Sequence, residues 1–196
     1  MNEMQCLSDA ELLGVVVGLS GARKSLQGAG GSLARLLNES VAPYDVNPKV
    51  QTRLQAAKEL VRRSLAESMR ERDALTSPQA VRDYLRVCLS GRAREVFVVI
   101  FLDAQNRVLR AEELFQGTLT QTPVYPREIV RRALEVNAAG VILAHNHPSG
   151  VAEPSRADES LTQAVRTAAA VLDIKVLDHF IVAEGSMMSF VERGLM

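Results

Sequence analysis

The sequence has little of what marks several specialised classes of protein. Its 196 residues include two cysteines and no tryptophan, and aromatic residues make up only 4%. Cys6 and Cys88 lie far apart in the chain, which gives no disulfide framework and fits a reducing compartment. We therefore expect a cytoplasmic protein in which Cys88 is a small core residue.

Long hydrophobic runs and an excess of one charge are also missing. The longest apolar runs, residues 96–102 and 141–144, are too short to cross a bilayer, and the first residues lack the basic segment of a signal peptide. The 23 Lys and Arg balance the 23 Asp and Glu, so net charge attracts neither membranes nor nucleic acid. A local cluster of arginines fits a solvated helix face or a DNA contact: Arg62, Arg63, Arg70 and Arg72.

The first part of the chain has a helical pattern. Residues 8–11, Ser-Asp-Ala-Glu, form a capping-box pattern, and a further helix is predicted over residues 49–68. The glycines at residues 28–31 follow no strand and lack the GxxxxGK[ST] phosphate-binding pattern, so we interpret them as a loop. We assign residues 1–72 to a helical N-terminal region.

From residue 75 onward the pattern changes to strands alternating with helices. The predicted strands are short apolar runs at residues 96–102, 108–114, 141–144, 175–182 and 187–190. Three helices are predicted in this part of the chain. The first begins at Ser77-Pro78, the second extends over residues 126–139 with Gly140 as its terminator, and the third extends over residues 155–172. This alternation predicts an α/β sandwich over residues 75–196.

The segment that follows residues 141–144 is the most informative. His145 and His147 are two of only three histidines, and side chains at i and i+2 of an extended chain point the same way. Asp158 lies in the first turn of the next predicted helix, which the intervening loop can fold back over the strand end. Two imidazoles and a carboxylate suit zinc and leave its fourth position for a water, whose pKa zinc lowers to about 7.

Simpler explanations exist for each of these residues taken alone. Residues 155–158, Ser-Arg-Ala-Asp, also fit a helix N-cap with an acid in the first turn, and a single histidine at a strand end is usually structural. Two imidazoles on one side of a strand end favour a metal site, because each would otherwise need its own hydrogen-bond partner in a core.

The spacing His145-x-His147, seven residues, then Ser155-x-x-Asp158 resembles the JAMM (MPN+) motif. The strings VILAHNHPSG and PSRAD, with EELFQGTL and PREIVRRALEVNAAG before them and VLDHFIV after, resemble the RadC branch of that family over residues 75–196. The resemblance implies an MPN/JAB-type sandwich related to cytidine deaminases. It also implies a zinc metallopeptidase-like hydrolase, with zinc on His145, His147 and Asp158.

The resemblance implies two catalytic residues as well. Glu95 stands before the first long strand, where the family has its catalytic glutamate, and would carry the proton from the zinc water to the leaving amine. Ser155 stands where the family has a serine that holds the water or the oxyanion. From the residues alone, Glu95 could equally be a solvated charge. His179 we interpret as structural, with a role beside the metal ligands as the alternative.

Three kinds of function fit these features. The first is hydrolysis of an amide bond in a protein or peptide substrate. The second is a DNA-repair or DNA-processing role, because RadC proteins usually carry a helix-hairpin-helix-like segment; here its glycine hairpin is replaced by Asp45-Val46-Asn47-Pro48. The third is a non-catalytic interaction domain, which the complete ligand set disfavours. A deaminase is excluded because H-x-E and P-C-x-x-C motifs are missing.

Overall fold

The computed structural model describes residues 3–31, 33–37, 47–70, 74, 78–117 and 124–196. The chain divides into two compact units, Met1–Arg63 and Ser64–Met196. The boundary that we placed between residues 72 and 75 stays a prediction, and both Arg72 and the predicted N-cap Ser77 lie outside the described residues. Within the described ranges, no helix combines the length and the apolar character that crossing a membrane requires.

The first unit is helical, as predicted. Its helices are α1 (Asp9–Val17), α2 (Leu19–Gly28), α3 (Leu33–Leu37) and the start of α4 (Pro48–Arg70). The predicted capping box opens α1: the carboxylate of Glu11 accepts the backbone N–H of Ser8 at 2.8 Å, and the Ser8 hydroxyl accepts the Glu11 N–H. Residues 29–31 form a turn after α2, so the predicted loop is confirmed at Gly30 and Gly31, whereas Gly28 is the last residue of the helix.

The second unit is built on a five-stranded sheet with the order β2-β1-β3-β4-β5. The strands are β1 (Val96–Leu102), β2 (Val108–Gln116), β3 (Gly140–Asn146), β4 (Lys175–Ala183) and β5 (Ser186–Ser189). β3 and β4 pair in parallel, and the other neighbours are antiparallel. Every residue of β1 and of β3 is buried, as continuous apolar runs predict for interior strands.

Helices cover both faces of this sheet. Phe97, Val99 and Phe101 of β1 pack in one core with α6 (Pro126–Glu135) and α7 (Arg156–Ala170). The alternate residues of β1 pack in a second core with α5 (Pro78–Leu89) and the end of α4. The predicted α/β sandwich is confirmed, and its alternation of faces follows from the period of two in a strand.

The pairing of the central strands brings the start of β1 and the ends of β3 and β4 together at one edge of the sheet. Phe97, near the start of β1, pairs with His145, near the end of β3. Ile181, near the end of β4, also pairs with His145. Because β3 passes into a loop at this edge, polar side chains there can turn away from the apolar core and gather in one place.

Helix α6 ends earlier than the sequence predicts. It stops at Glu135, and Asn137 adopts a positive φ of 55°. The amide of Ala138 then donates to the carbonyl of Ala133 at 2.9 Å, as in a Schellman motif. Gly140, the predicted terminator, is instead the first residue of β3. The prediction missed this because asparagine is less often used than glycine at the left-handed position.

Replacing Asn137 tests this terminator. We expect Asn137→Ala to lower the free energy of unfolding by about 1 kcal/mol, because a Cβ without a compensating polar group strains the left-handed backbone. Asn137→Gly should leave stability unchanged or raise it. Urea denaturation of the two variants beside the wild type measures the difference, and an equal loss in both would contradict the assignment.

Candidate metal centre

His145 is placed by β3 on the face of the sheet that α7 covers. Its side chain is 1% exposed, and its ring stacks on Phe97 of the neighbouring strand with a centroid distance of 6.0 Å. Its Nδ1 atom lies 2.8 Å from Nε2 of His179, which is fully buried on β4. The other nitrogen, Nε2, therefore faces His147 and Asp158.

His147 follows directly after β3 and keeps the extended direction of the strand. Its backbone N–H donates to the carbonyl of Val182 on β4 at 2.9 Å. Its ring Nδ1 lies 2.9 Å from the carbonyl oxygen of Val151. A carbonyl can only accept, so Nδ1 carries the hydrogen and Nε2 faces His145, 3.0 Å from its Nε2.

Asp158 is fixed by a capping box at the start of α7. The Asp158 carboxylate accepts the Ser155 backbone N–H at 2.7 Å and the Ser155 hydroxyl at 2.6 Å, and Ser155 Oγ accepts the Asp158 N–H at 3.2 Å. The same carboxylate lies 3.2 Å from Nε2 of His145 and 3.6 Å from Nε2 of His147. The N-cap explanation and the metal-site explanation of this segment therefore describe one arrangement.

The three side chains converge closely enough to share a metal ion. The ligating atoms of His145, His147 and Asp158 all lie within 4.8 Å of one another. Tetrahedral zinc with bonds of about 2.1 Å holds its ligand atoms about 3.4 Å apart, close to the distances between the facing atoms here. The group thus fits a divalent ion in its size and in its set of donors.

A chain of hydrogen bonds decides which nitrogen of His145 is bare. The hydroxyl of Thr162 lies 2.6 Å from the backbone carbonyl of Asp158 and must donate to it. The same oxygen then accepts from Nδ1 of His179 at 2.7 Å, so that Nε2 of His179 is bare and accepts the Nδ1–H of His145. Nε2 of His145 consequently carries no hydrogen. Two bare nitrogens and a carboxylate face one another in the neutral site, an arrangement that a cation stabilises.

When a histidine of the cluster is protonated, the proton on its Nε2 takes the place of a cation and is donated to Asp158. Burial pushes the pKa of Asp158 upward, but hydrogen bonds from His145 and His147 outweigh it, and the pKa lies well below its usual range. The hydrogen bond to Asp158 raises the pKa of His147 against the effect of burial, so a proton there is what a metal ion must displace. Burial lowers the pKa of His179 well below its ordinary value, which keeps this ring neutral, as the hydrogen bonds to Thr162 and His145 require.

Glu95 lies immediately before β1 and is half-buried at the rim of the cluster. Burial is the largest influence on its carboxyl group and raises its pKa; the positive influence of His145 opposes this, and the negative charge of Asp158 adds to it. The carboxylate of Glu95 therefore interacts electrostatically with the cluster, although it is not one of the three convergent ligands. A raised pKa suits a group that exchanges protons near neutral pH.

The sequence reasoning missed or underestimated three residues. It did not single out Thr162, although that residue lies four positions after Asp158, on the same side of α7. It interpreted His179 as structural, yet His179 contacts His145 directly. It assigned no role to Asn146, whose side chain bonds to the segment that carries Glu95. The hydroxyl of Ser155 is engaged with Asp158, and its part in catalysis stays a prediction.

A mixed sheet covered by helices on both faces, with a His-x-His pair at a strand end and an aspartate on the next helix, defines a domain of the JAB type. The sequence profile of the RadC-like JAB domain matches residues 75–195, more than half of the chain. The chain belongs to the RadC family. Both the family and the fold that the motifs predicted are therefore confirmed.

Relatives from several bacteria match nearly the whole chain. A UPF0758 protein of Methylibium petroleiphilum is 51% identical over 201 residues, covering 97% of this chain and 90% of its own length. A UPF0758 protein of Dechloromonas aromatica is 53% identical over 203 residues, with coverage of 97% and 90%. One from Nitrosomonas eutropha is 50% identical over 200 residues, with coverage of 96% and 89%. The similarity thus includes the helical N-terminal region.

The hydrogen-bond chain can be tested in the metal-free protein. Long-range ¹H–¹⁵N spectra report which ring nitrogen of each histidine carries hydrogen, and we expect Nδ1–H on both His145 and His179 above pH 8. Thr162→Val removes the oxygen that accepts from His179, so both rings should lose this defined tautomer, whereas Thr162→Ser should keep it. Spectra that are identical in the valine variant and the wild type would contradict the assigned directions.

Proposed function

We propose that this chain is a zinc-dependent hydrolase that cleaves amide bonds in peptides or proteins. The observation that carries the proposal is the convergence of two bare imidazole nitrogens and a carboxylate at the edge of the sheet. Neutral nitrogens with a single carboxylate suit zinc and leave one position open, as in catalytic rather than structural zinc sites. The JAB domain supports the proposal, because metallo-hydrolases occur in that superfamily.

Each member of the cluster would have a distinct part in holding the ion. His145 and His147 would bind through Nε2, and Asp158 would bind through its carboxylate. A bound zinc ion supplies a Lewis acid that lowers the pKa of a water molecule to about 7 and polarises a carbonyl group. The contacts of His145 with His179 and of His147 with Val151 hold both rings in place before any ion arrives.

Glu95 would serve as the general base and then as the general acid. It would take a proton from the water that adds to the amide carbon. It would then give that proton to the nitrogen as the carbon–nitrogen bond breaks, so that a carboxylic acid and an amine are released. Its half-buried position raises its pKa toward the range in which a carboxyl group can do both. Ser155, at the N-terminus of α7, donates its hydroxyl hydrogen to Asp158 and so orients that carboxylate. To help hold the developing oxyanion, the hydroxyl would turn this one hydrogen from Asp158 to the substrate.

The charges of the described residues favour a peptide over a nucleic acid as substrate. The chain has no net charge. Arg62 and Arg63 each bind the carboxylate of Glu59, at 2.7 and 2.8 Å, and these contacts lower the pKa of Glu59 to about 2. Two of the four clustered arginines are thus engaged on their own helix, which supports the solvated-face explanation. We propose no DNA-binding activity.

Zinc binding tests the first half of the proposal. After incubation with zinc and gel filtration, elemental analysis of the wild type should find about one zinc ion per chain. Asp158→Asn and His147→Ala should lose this ion, because each leaves only two ligands. Glu159→Gln is the matched control, since this exposed acid follows Asp158 directly and should retain zinc. A folded wild type that binds no zinc would refute the proposal.

Peptide hydrolysis tests the second half. A peptide library made from a digested bacterial proteome serves as the probe, and mass spectrometry detects new termini. Glu95→Gln should retain zinc but lose about 100-fold or more of the cleavage rate, the usual contribution of a general base. Glu184→Gln, in the turn before β5, should cleave like the wild type. Cleavage that survives in Glu95→Gln, or in the presence of a chelator, would assign the activity to something other than this mechanism.

A further inference from the structure

Asn146 lies between the two histidines but points away from them. Side chains alternate along a strand, so a strand end that sends His145 and His147 to the α7 face sends Asn146 to the opposite one. Asn146 is only 3% exposed there, close to the core in which Val96 packs. A buried amide of this kind requires hydrogen-bond partners, and their identity is informative.

The side chain of Asn146 bonds to backbone atoms of the segment that carries Glu95. Its Oδ1 accepts the N–H of Val96 at 2.8 Å. Its Nδ2 donates to the carbonyl of Arg94 at 3.0 Å and more weakly to that of Arg92 at 3.4 Å. The bonds thus fall on both sides of Glu95, and they do not depend on which side chains the segment carries.

The amide of Asn146 continues the sheet where the backbone pairing stops. The ladder between β1 and β3 ends at the pair Phe97 and His145. One step further, the side chain of Asn146 supplies both the acceptor for Val96 and the donors for the preceding carbonyls. This task needs an acceptor and two hydrogens on one short side chain; an aspartate carboxylate and leucine have no hydrogen to donate, and serine has only one.

A further hydrogen bond holds the same segment from the side of β2. The backbone carbonyl of Glu95 accepts the N–H of Gly117, directly after β2, at 2.8 Å. With Asn146 on one side and Gly117 on the other, the backbone around Glu95 is fixed at three successive residues. These bonds act on the backbone that carries the carboxylate of Glu95.

We propose that Asn146 is a positioning residue that holds Glu95 in register with the metal cluster. This inference rests on the proposed function, since it assigns Asn146 to the placement of the general base. The end of β3 would therefore supply two of the three ligands on one face and fix the base from the other. A displacement of Glu95 by about 1 Å would lower the rate about 100-fold while leaving the ligands in place.

Amide hydrogen exchange tests the anchoring without any need for activity. Asn146→Leu has a similar volume and no hydrogen-bonding group, and we expect exchange at the Val96 amide to become about tenfold faster. The amide of His147, which bonds to Val182, is the internal control and should keep its protection. Unchanged exchange at Val96 would overturn the proposal. If Asn146→Leu fails to fold, Asn146→Ala provides the same test, because it also removes the oxygen that accepts the Val96 amide.

A double-mutant cycle tests the link to Glu95. With equal zinc content, Asn146→Leu and Asn146→Asp should each lower kcat about 10- to 100-fold and leave KM nearly unchanged. In a Glu95→Gln background the same changes should cause no further loss, because the base that they position is already gone. A further loss of the same size would overturn the proposal. Absence of hydrolysis in the wild type would instead refute the proposed function, and the exchange at Val96 would still decide the anchoring.

Discussion

The alternation of side chains at the end of β3 is the constraint on which the site depends. Within three residues the strand sends two imidazoles to one face and a buried amide to the other. Neither direction can change alone, because a shift of one residue would exchange the two faces and bury the histidines in the opposite core. Pairing of β3 with β1 and β4 on both sides excludes such a shift.

The polar groups around this strand end form a connected set. Asp158 completes the capping box of α7 and also faces the imidazoles, and Thr162, one turn later, donates its hydroxyl hydrogen to the backbone carbonyl of Asp158. His179 joins Thr162 to His145, so β3, β4 and α7 are tied together through side chains. Because the hydrogen of Thr162 must go to a carbonyl, the hydrogens of His179 and His145 each have only one possible acceptor in the network. The network therefore also determines the tautomers that metal binding requires. The same hydrogen bonds therefore connect β3, β4 and α7 and set which nitrogens of the histidines carry hydrogen.

Periodicity and caps made much of the fold predictable. The apolar runs at 96–102 and 141–144 gave the central strands, and Ser8 and Ser155 marked helix starts that the structure confirms. The end of α6 was predicted wrongly, because Asn137 rather than Gly140 takes the left-handed conformation. That choice depends on where the following strand must begin, which local sequence does not reveal.

The amino-acid sequence was sufficient to predict the family, the sandwich and the candidate ligand set. Each of these rests on local features: alternation along a strand, a capping box and a motif of fixed spacing. The contacts between distant residues required the folded chain. The contact of His179 with His145 joins residues 34 positions apart, and the bond of Asn146 to Val96 joins residues 50 apart. Such partners are chosen by strand order and register, and these arise from packing of the whole sheet rather than from any short stretch of chain.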